Sequence, residues 1–385
     1  MSFQSYEPFR WIQNGSQFLN SFFKLQIYIS IHIINPMEKQ SSPSISSRKD
    51  EHILLCLEKD VQYKGITNGF DEIKLFPSIL TNYTPNEINL SANFLKKEVA
   101  LPIIVSGMTG GSNNGKVFNE SIARICSEFK IGMGVGSQRA AIENSELINT
   151  YEVRHIAPNI PLIANLGIAQ LAHRQAYDNA IKAVEMINAD ALAIHINPLQ
   201  EIIQTEGDRV QINIVEIIEE LKKNFELPII IKGVGTGLSK EDAKILTELD
   251  IYAIDIAGAG GTNWSKIEYY RNKDVQFLSE KFLNWGISTK TSLINTVAHA
   301  QQNNVKVIAS GGIWCGLDAV KALLLGADYV ALALPILRAI GKGGIEECRN
   351  FLSNYVLEMR SVMTMLNIKD LNELKKERHK ILDKI

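Results

Sequence analysis

"ALAIHIN", residues 191–197, is an apolar run that breaks off at a histidine and an asparagine. A strand built from it has no wet face, so both faces must be covered, as in parallel strands alternating with helices. Seven further runs share this character, each passing through a glycine or polar cluster into a helical-looking segment of mixed polarity. They are "PIIVSG" from Pro102, "IGMGVG" from Ile131, "PLIANLG" from Pro161, "PIIIKGVG" from Pro228, "YAIDIAGAGG" from Tyr252, "VKVIASGG" from Val305 and "YVALALP" from Tyr329. Eight such strands predict an α/β fold, a (β/α)8 TIM barrel over residues 101–345. An open doubly wound sheet needs a topological switch and usually fewer strands, and no GxGxxG follows the first run.

Outside the barrel, residues 48–100 contain "GFDEIKLFP" and "LSANFLKKEVALP". They read as an N-terminal helix followed by an irregular or hairpin segment that plugs one end of the barrel. "SSRKDEHI", residues 46–53, reads as an N-capped helix start, with Ser47 before Arg48. Residues 346–385 are expected to form a C-terminal helical region. The sixth connection, from Gly258 to about Val305, carries "WSKIEYYRNKD" and is long enough to suggest a lid or binding role, with a surface insertion as the alternative. Residues 1–47 read as an extension and polar linker. Within it, "FLNSFFKLQIYISIHII", residues 18–34, is interrupted by Asn20, Lys24, Gln26 and His32 and makes a poor transmembrane helix; no small-residue cleavage site follows it.

A formal charge of -2 removes the broad electrostatic argument for nucleic acid as a partner. Cys56, Cys126, Cys315 and Cys348 lie far apart with no CxxC pair, which fits a reducing cytosol better than a disulfide framework or a zinc knuckle.

Barrel active sites sit at the C-terminal ends of the strands. The polar and glycine clusters fall there: Thr109, Ser137, Gln138, Arg139, Asn165, His195, Asn197, Gln200, Glu201, Lys232, Gly260, Gly261, Thr262, Gly311 and Gly312. Turns account for the glycines but do not call for Gln138, Asn165 or Lys232. "SGGI" after the seventh run, "ALP" in the eighth and "GAGGT" at 258–262 together suggest a phosphate site. A phosphate-anchored ligand lying across the mouth would meet Met108, Thr109, Ser137, Asn165 and Lys232. Amides and hydroxyls suit the pyrimidine edge of a flavin, and a lysine suits its N1–C2=O region. In "HINPLQE", residues 195–201, Glu201 suits a hard cation such as Mg²⁺, Asn197 and Gln200 are neutral donors and acceptors, and His195 is a titratable or orienting group; a plain helix cap with solvated side chains is the alternative. Arg48, Lys49 and Arg139 are apt partners for phosphate charge, while the charges of "EGDR", 206–209, are expected to face water.

Over roughly Arg48 to Leu334 the chain resembles the flavin-dependent, type 2 isopentenyl-diphosphate delta-isomerases. The resemblance rests on "RKDEH", "TNGFDEIKL", "SGMTGG", "GSQR", "NLG", "HINPLQE", "GDR", "IIKGVGTGLS", "DIAGAGGTNW" and "SGGI" with "GLDAVKALLLGAD". It implies that Arg48, Lys49, Ser137, Gln138, Arg139 and Gln200 contact a diphosphate substrate and that Glu201 binds Mg²⁺. FMN would be held by Gly107, Met108, Thr109, Ser137, Asn165, Lys232, Thr262, Gly312, Ile313, Trp314, Ala333 and Leu334. The implied reaction interconverts isopentenyl and dimethylallyl diphosphate without net redox, on FMN reduced once by NAD(P)H. The resemblance further implies that His195, Asn197 and Gln200 mainly orient and that flavin N5 acts as the acid–base atom. A cytoplasmic homotetramer or homo-octamer is implied as well. Two departures stand out: Gly233 follows Lys232 where the family usually has Glu, and Trp314 stands where an Arg is frequent.

Overall fold

Ten strands and a set of flanking helices make up the computed structural model, which describes residues 45–172, 175–207 and 213–382 of the 385. First come β1 (Ala92–Phe94) and β2 (Lys97–Val99), an antiparallel hairpin. Then follow β3 (Ile103–Val105), β4 (Gly132–Gly134), β5 (Leu162–Gly167), β6 (Ala191–His195), β7 (Ile229–Lys232), β8 (Ala253–Asp255), β9 (Lys306–Ser310) and β10 (Tyr329–Leu332). Each lies inside one of the eight apolar runs. They pair in parallel and in chain order, and β10 closes on β3, so the TIM barrel expected from the sequence is the observed fold.

Both faces of the strands are covered. Ile103, Val105, Leu162, Leu192 and Ile194 pack outward among the helices. Ile104, Ile163, Ala193, Ile230 and Ile308 point inward and meet Phe94, Leu95 and Val99 of the hairpin, which plugs the barrel. The hairpin turn is the two-residue pair Leu95 and Lys96, both at positive φ (51° and 63°), as a type I′ turn requires. Neither is the Gly or Asn such a turn favours. Burial of the Leu95 side chain, worth about 1.5–3 kcal/mol, offsets a left-handed cost of similar size. The Leu95 N–H donates to the Tyr252 hydroxyl at 3.1 Å and holds the tip in place.

The N-terminal helix spans Ile45–Glu58, so Ser47 lies inside it instead of capping it. It packs on the helix Leu334–Met365, which breaks at Gly343 and Gly344, and on Trp264–Arg271. The sixth connection is therefore not a bare loop. It folds as helices Trp264–Arg271, Gln276–Lys281 and Thr289–Gln302, the last being the outer barrel helix against β9. A final helix, Leu371–Leu382, packs on Gly316–Leu324. Residues 1–44, with the apolar stretch 18–34, and Asp208 and Arg209 of "EGDR" lie outside the described residues. Among the described residues, no helix is long and apolar enough to cross a membrane.

Candidate active site

At the C-terminal end of the barrel, strand ends and the N-terminal helix enclose a cavity of about 250 Å³. Arg48, Lys49, Gly107, Met108, Thr109, Ser137, Arg139, Asn165, His195, Asn197, Gln200, Glu201, Lys232, Thr262, Gly312, Ile313, Trp314, Ala333 and Leu334 all line it. Gln138 does not, which corrects its expected place among the diphosphate contacts. Its amide is wholly buried: Nε2 donates to Ala183 O at 2.7 Å and Oε1 accepts the Asn165 N–H at 2.7 Å. A position beside a strand end says where a backbone is, not which way its side chain turns.

On one side of the mouth two glycine turns interlock. Gly311 has φ +102°, and a Cβ there would lie 2.0 Å from Gly258 O; a Cβ on Gly312, at φ +71°, would lie 2.3 Å from Gly260 O. Only bare backbone fits, which leaves a concave surface of peptide groups beside the first turn of the helix that begins at Leu334. Helix N-termini carry unpaired N–H groups and favour anions. Ser137 and Arg139 follow β4, four strands round the closed ring from β8 and therefore across the mouth from these turns.

Between the two lies a wired polar floor. Asn165 Nδ2 donates to Val135 O at 3.0 Å, which turns Oδ1 toward His195 Nδ1 at 2.9 Å. A carbonyl oxygen only accepts, so the imidazole proton sits on Nδ1 and Nε2 keeps its lone pair. Burial first, then the charges of Lys49 and Lys232, push the His195 pKa down to about 3, so the ring is neutral at ordinary pH. Asn197 Nδ2 donates to Gln200 Oε1 at 3.2 Å and to Glu201 Oε1 at 2.8 Å, and Gln200 Nε2 reaches Gln204 at 3.3 Å. Asn197 does stand at the N-cap of the helix Pro198–Ile203, but its side chain organises the loop instead of capping. The Thr109 hydroxyl donates to buried Asn119 at 2.7 Å, so its backbone is what it chiefly presents to the cavity.

The cationic rim is under strain from its own charge. Burial first, then Arg48 and Arg139, lower the Lys49 pKa to about 8, while its Nζ donates to Ser137 O at 3.1 Å. Burial also lowers Arg48, against the pull of Glu206. Arg139 pairs with Glu143 at 2.7 Å. Behind the rim, Glu268 is fully buried and joins His52 (3.3 Å) to Arg271 (2.5 Å), and Arg271 also pairs with Glu51 and Glu206. Glu206 thus does not simply face water. This cluster ties the N-terminal helix to Trp264–Arg271, and no role for His52, Glu268 or Arg271 was legible in the sequence beyond their place in "RKDEH" and "WSKIEYYR". Asp255 was also missed, although a lone acid inside "YAIDIAG" was a visible signal: it takes Lys232 Nζ at 2.7 Å.

Glu201 is the one carboxylate among the described lining residues, and no described cluster of three or more His, Cys, Asp or Glu side chains would hold a metal alone. Such a wall suits a Mg²⁺ ion whose remaining ligands come from substrate oxygens and water. The glycine turns, the Met108 and Asn165 walls and Lys232 suit FMN.

Residues 183–381 match the FMN-dependent dehydrogenase family model. Curated relatives named isopentenyl-diphosphate delta-isomerase include those of Methanocaldococcus jannaschii, 44% identical over 86% of this chain and 93% of that protein, and Pyrococcus abyssi, 41% identical over 86% and 90%. That of Nostoc sp. is 40% identical over 80% and 87%. Solved structures similar to the chain include a mandelate oxidase variant with a monooxide FMN adduct (TM-score 0.58, 15% identity, covering 91% of this chain and 94% of that one). A flavocytochrome b2 variant with benzoylformate is another (TM-score 0.60, 21% identity, covering 94% and 84%). At those identities the likeness speaks to the barrel alone.

Proposed function

The chain belongs to the isopentenyl-diphosphate delta-isomerase family, and from that membership we propose that it interconverts isopentenyl and dimethylallyl diphosphate with reduced FMN and Mg²⁺, as a step of isoprenoid biosynthesis. One observation carries the reading at the level of this chain's own residues: a single cavity holds a glycine cradle on one side and the Lys49, Arg48 and Arg139 cations with Ser137 on the other. A hydrocarbon undergoing proton transfer offers little to grip, so the protein grips the diphosphate. Arg48, Lys49, Ser137, Arg139 and Gln200 bind it, and Glu201 adds a Mg²⁺ ligand. Gly107, Met108, Thr109, Ser137, Asn165, Lys232, Thr262, Gly312, Ile313, Trp314, Ala333 and Leu334 hold FMN. When bound and reduced, FMN supplies the acid–base chemistry that delivers a proton to the terminal alkene carbon and removes one from the allylic carbon.

His195, neutral and fixed by Asn165, orients without carrying charge; Asn197 and Gln200 place the substrate end beside Glu201. The Gly233 departure leaves the lysine anchored, since Lys232 takes its position from Asp255, and the glycine suits a backbone where a Cβ would lie 2.9 Å from Ile256 O. Trp314 removes an Arg contact but leaves backbone donors beside it. NAD(P)H primes the flavin. Four free cysteines, three of them buried, support a cytoplasmic setting. Exposed Phe76, Ile79 and Leu80 support assembly into a homotetramer or homo-octamer, which the solution mass checks.

The test is turnover in D₂O. An exchangeable acid leaves deuterium in the new methyl group of dimethylallyl diphosphate, whereas product without deuterium would sink the acid–base reading. A second reading, an FMN oxidoreductase on the same barrel, is favoured only by the family-model match, and it requires reductant or O₂ consumed with each product.

A further inference from the structure

Lys232 ends β7 and Asp255 ends β8, and the two are register partners in the ladder. Lys232 Nζ lies 2.7 Å from Asp255 Oδ2. The other carboxylate oxygen, Oδ1, accepts the Ser310 hydroxyl at the end of β9 and the Ala257 N–H at 3.3 Å. Asp255 is only 4% exposed and Ser310 5%. Both oxygens are therefore occupied, and the carboxylate has no freedom to rotate. Lys232 lines the cavity and Asp255 does not.

A buried ion pair is a poor way to stabilise a barrel: desolvating two charges offsets most of their attraction, and apolar residues of similar size serve as well. The neighbouring inward positions of this barrel are indeed apolar or small, Ile230, Ala253 and Ile308 among them. A lysine chain at a strand end would otherwise swing toward solvent, where water screens its charge. We propose that Asp255, braced by Ser310, is the positioning residue that holds the Lys232 ammonium against the flavin site, so that the lysine stabilises negative charge on the reduced ring. The inference rests on FMN occupying this cavity, as proposed above.

The test is the ratio of FMN affinities, oxidised over reduced, for the wild type, Asp255→Asn, Lys232→Gln and the double variant, with circular dichroism confirming the fold of each. If Asp255 acts through Lys232, each single variant weakens reduced FMN relative to oxidised by roughly tenfold, and the double variant loses no more than Lys232→Gln alone. Ser310→Ala, which leaves the ion pair in place, gives a smaller loss in the same direction and serves if Asp255→Asn does not fold. Two results overturn the proposal: an unchanged ratio in Asp255→Asn, which makes the residue a structural tie, and a shift that persists or tightens reduced FMN when Lys232 is absent, which makes it act by its own charge. A ratio unmoved by Lys232→Gln while FMN still binds refutes this proposal alone, whereas a wild-type protein that binds no FMN removes the flavin reading as well, so the two failures are told apart.

Discussion

If Lys49 binds the diphosphate as proposed, its titration should report on that binding directly. Burial, Arg48 and Arg139 bring its pKa from the usual 10.5 to about 8. The sign follows: below about pH 8 the free protein offers a charged ammonium, and above it the group is neutral and the attraction to the diphosphate is lost. Because kcat/KM reports ionisations of the free enzyme, it should fall tenfold per pH unit on the alkaline side, to roughly a tenth of its plateau at about pH 9. Lys49→Arg keeps the charge over the whole range and moves this limb beyond pH 10, even if the plateau is lower. The assay is initial rate against isopentenyl diphosphate from about pH 6.5 to 9.5, with pre-reduced FMN and saturating Mg²⁺. An identical alkaline limb in wild type and Lys49→Arg would refute the assignment, as would a wild-type profile that stays flat to about pH 9.5. The same shift makes stability rise with pH between about 8 and 10.5, since the unfolded chain there holds a proton that the folded one has released.

Gln200→Ala should lower turnover by roughly a hundredfold through misplacement of the substrate while the purified protein keeps its FMN, measured by flavin absorbance per chain; an apoprotein would contradict the division of labour. Glu201→Gln should raise the Mg²⁺ needed for half-maximal rate by roughly tenfold or more, read from a metal titration, and an unchanged requirement would place the ion elsewhere. His195 contributes to acid sensitivity: its folded pKa of about 3 lies below the unfolded value of about 6.5, so stability falls as pH drops through that window, by roughly 2 kcal/mol between about pH 6.5 and 5. In His195→Asn, urea midpoints at those two pH values should draw closer together by that share, and equal spacing in both proteins would deny the buried neutral ring.

The barrel was legible because parallel strands buried on both faces leave an unbroken apolar run, and all eight runs hold a strand. The hairpin plug was harder to read. Leu95-Lys96 carries no turn signal, and what stabilises it is tertiary: insertion of Leu95 into the inner core and its N–H bond to the Tyr252 hydroxyl. Strand-end position put thirteen of its fifteen candidates on the cavity wall but gave no direction for Gln138, whose amide clamps Asn165 from behind. Partners distant in sequence stayed invisible for the same reason. Lys232 was singled out without Asp255, and "EGDR" was read as solvated because Arg271, the partner of Glu206, comes from another element.

On the proposed mechanism the flavin is needed in its reduced form but is not spent. The protein is incubated anaerobically with FMN, Mg²⁺ and isopentenyl diphosphate, with and without one priming dose of dithionite, and dimethylallyl diphosphate is quantified per flavin. Many turnovers should follow a single priming, and none should occur without it. Product formed one for one with reductant, or no product from a protein holding reduced flavin, would contradict the mechanism.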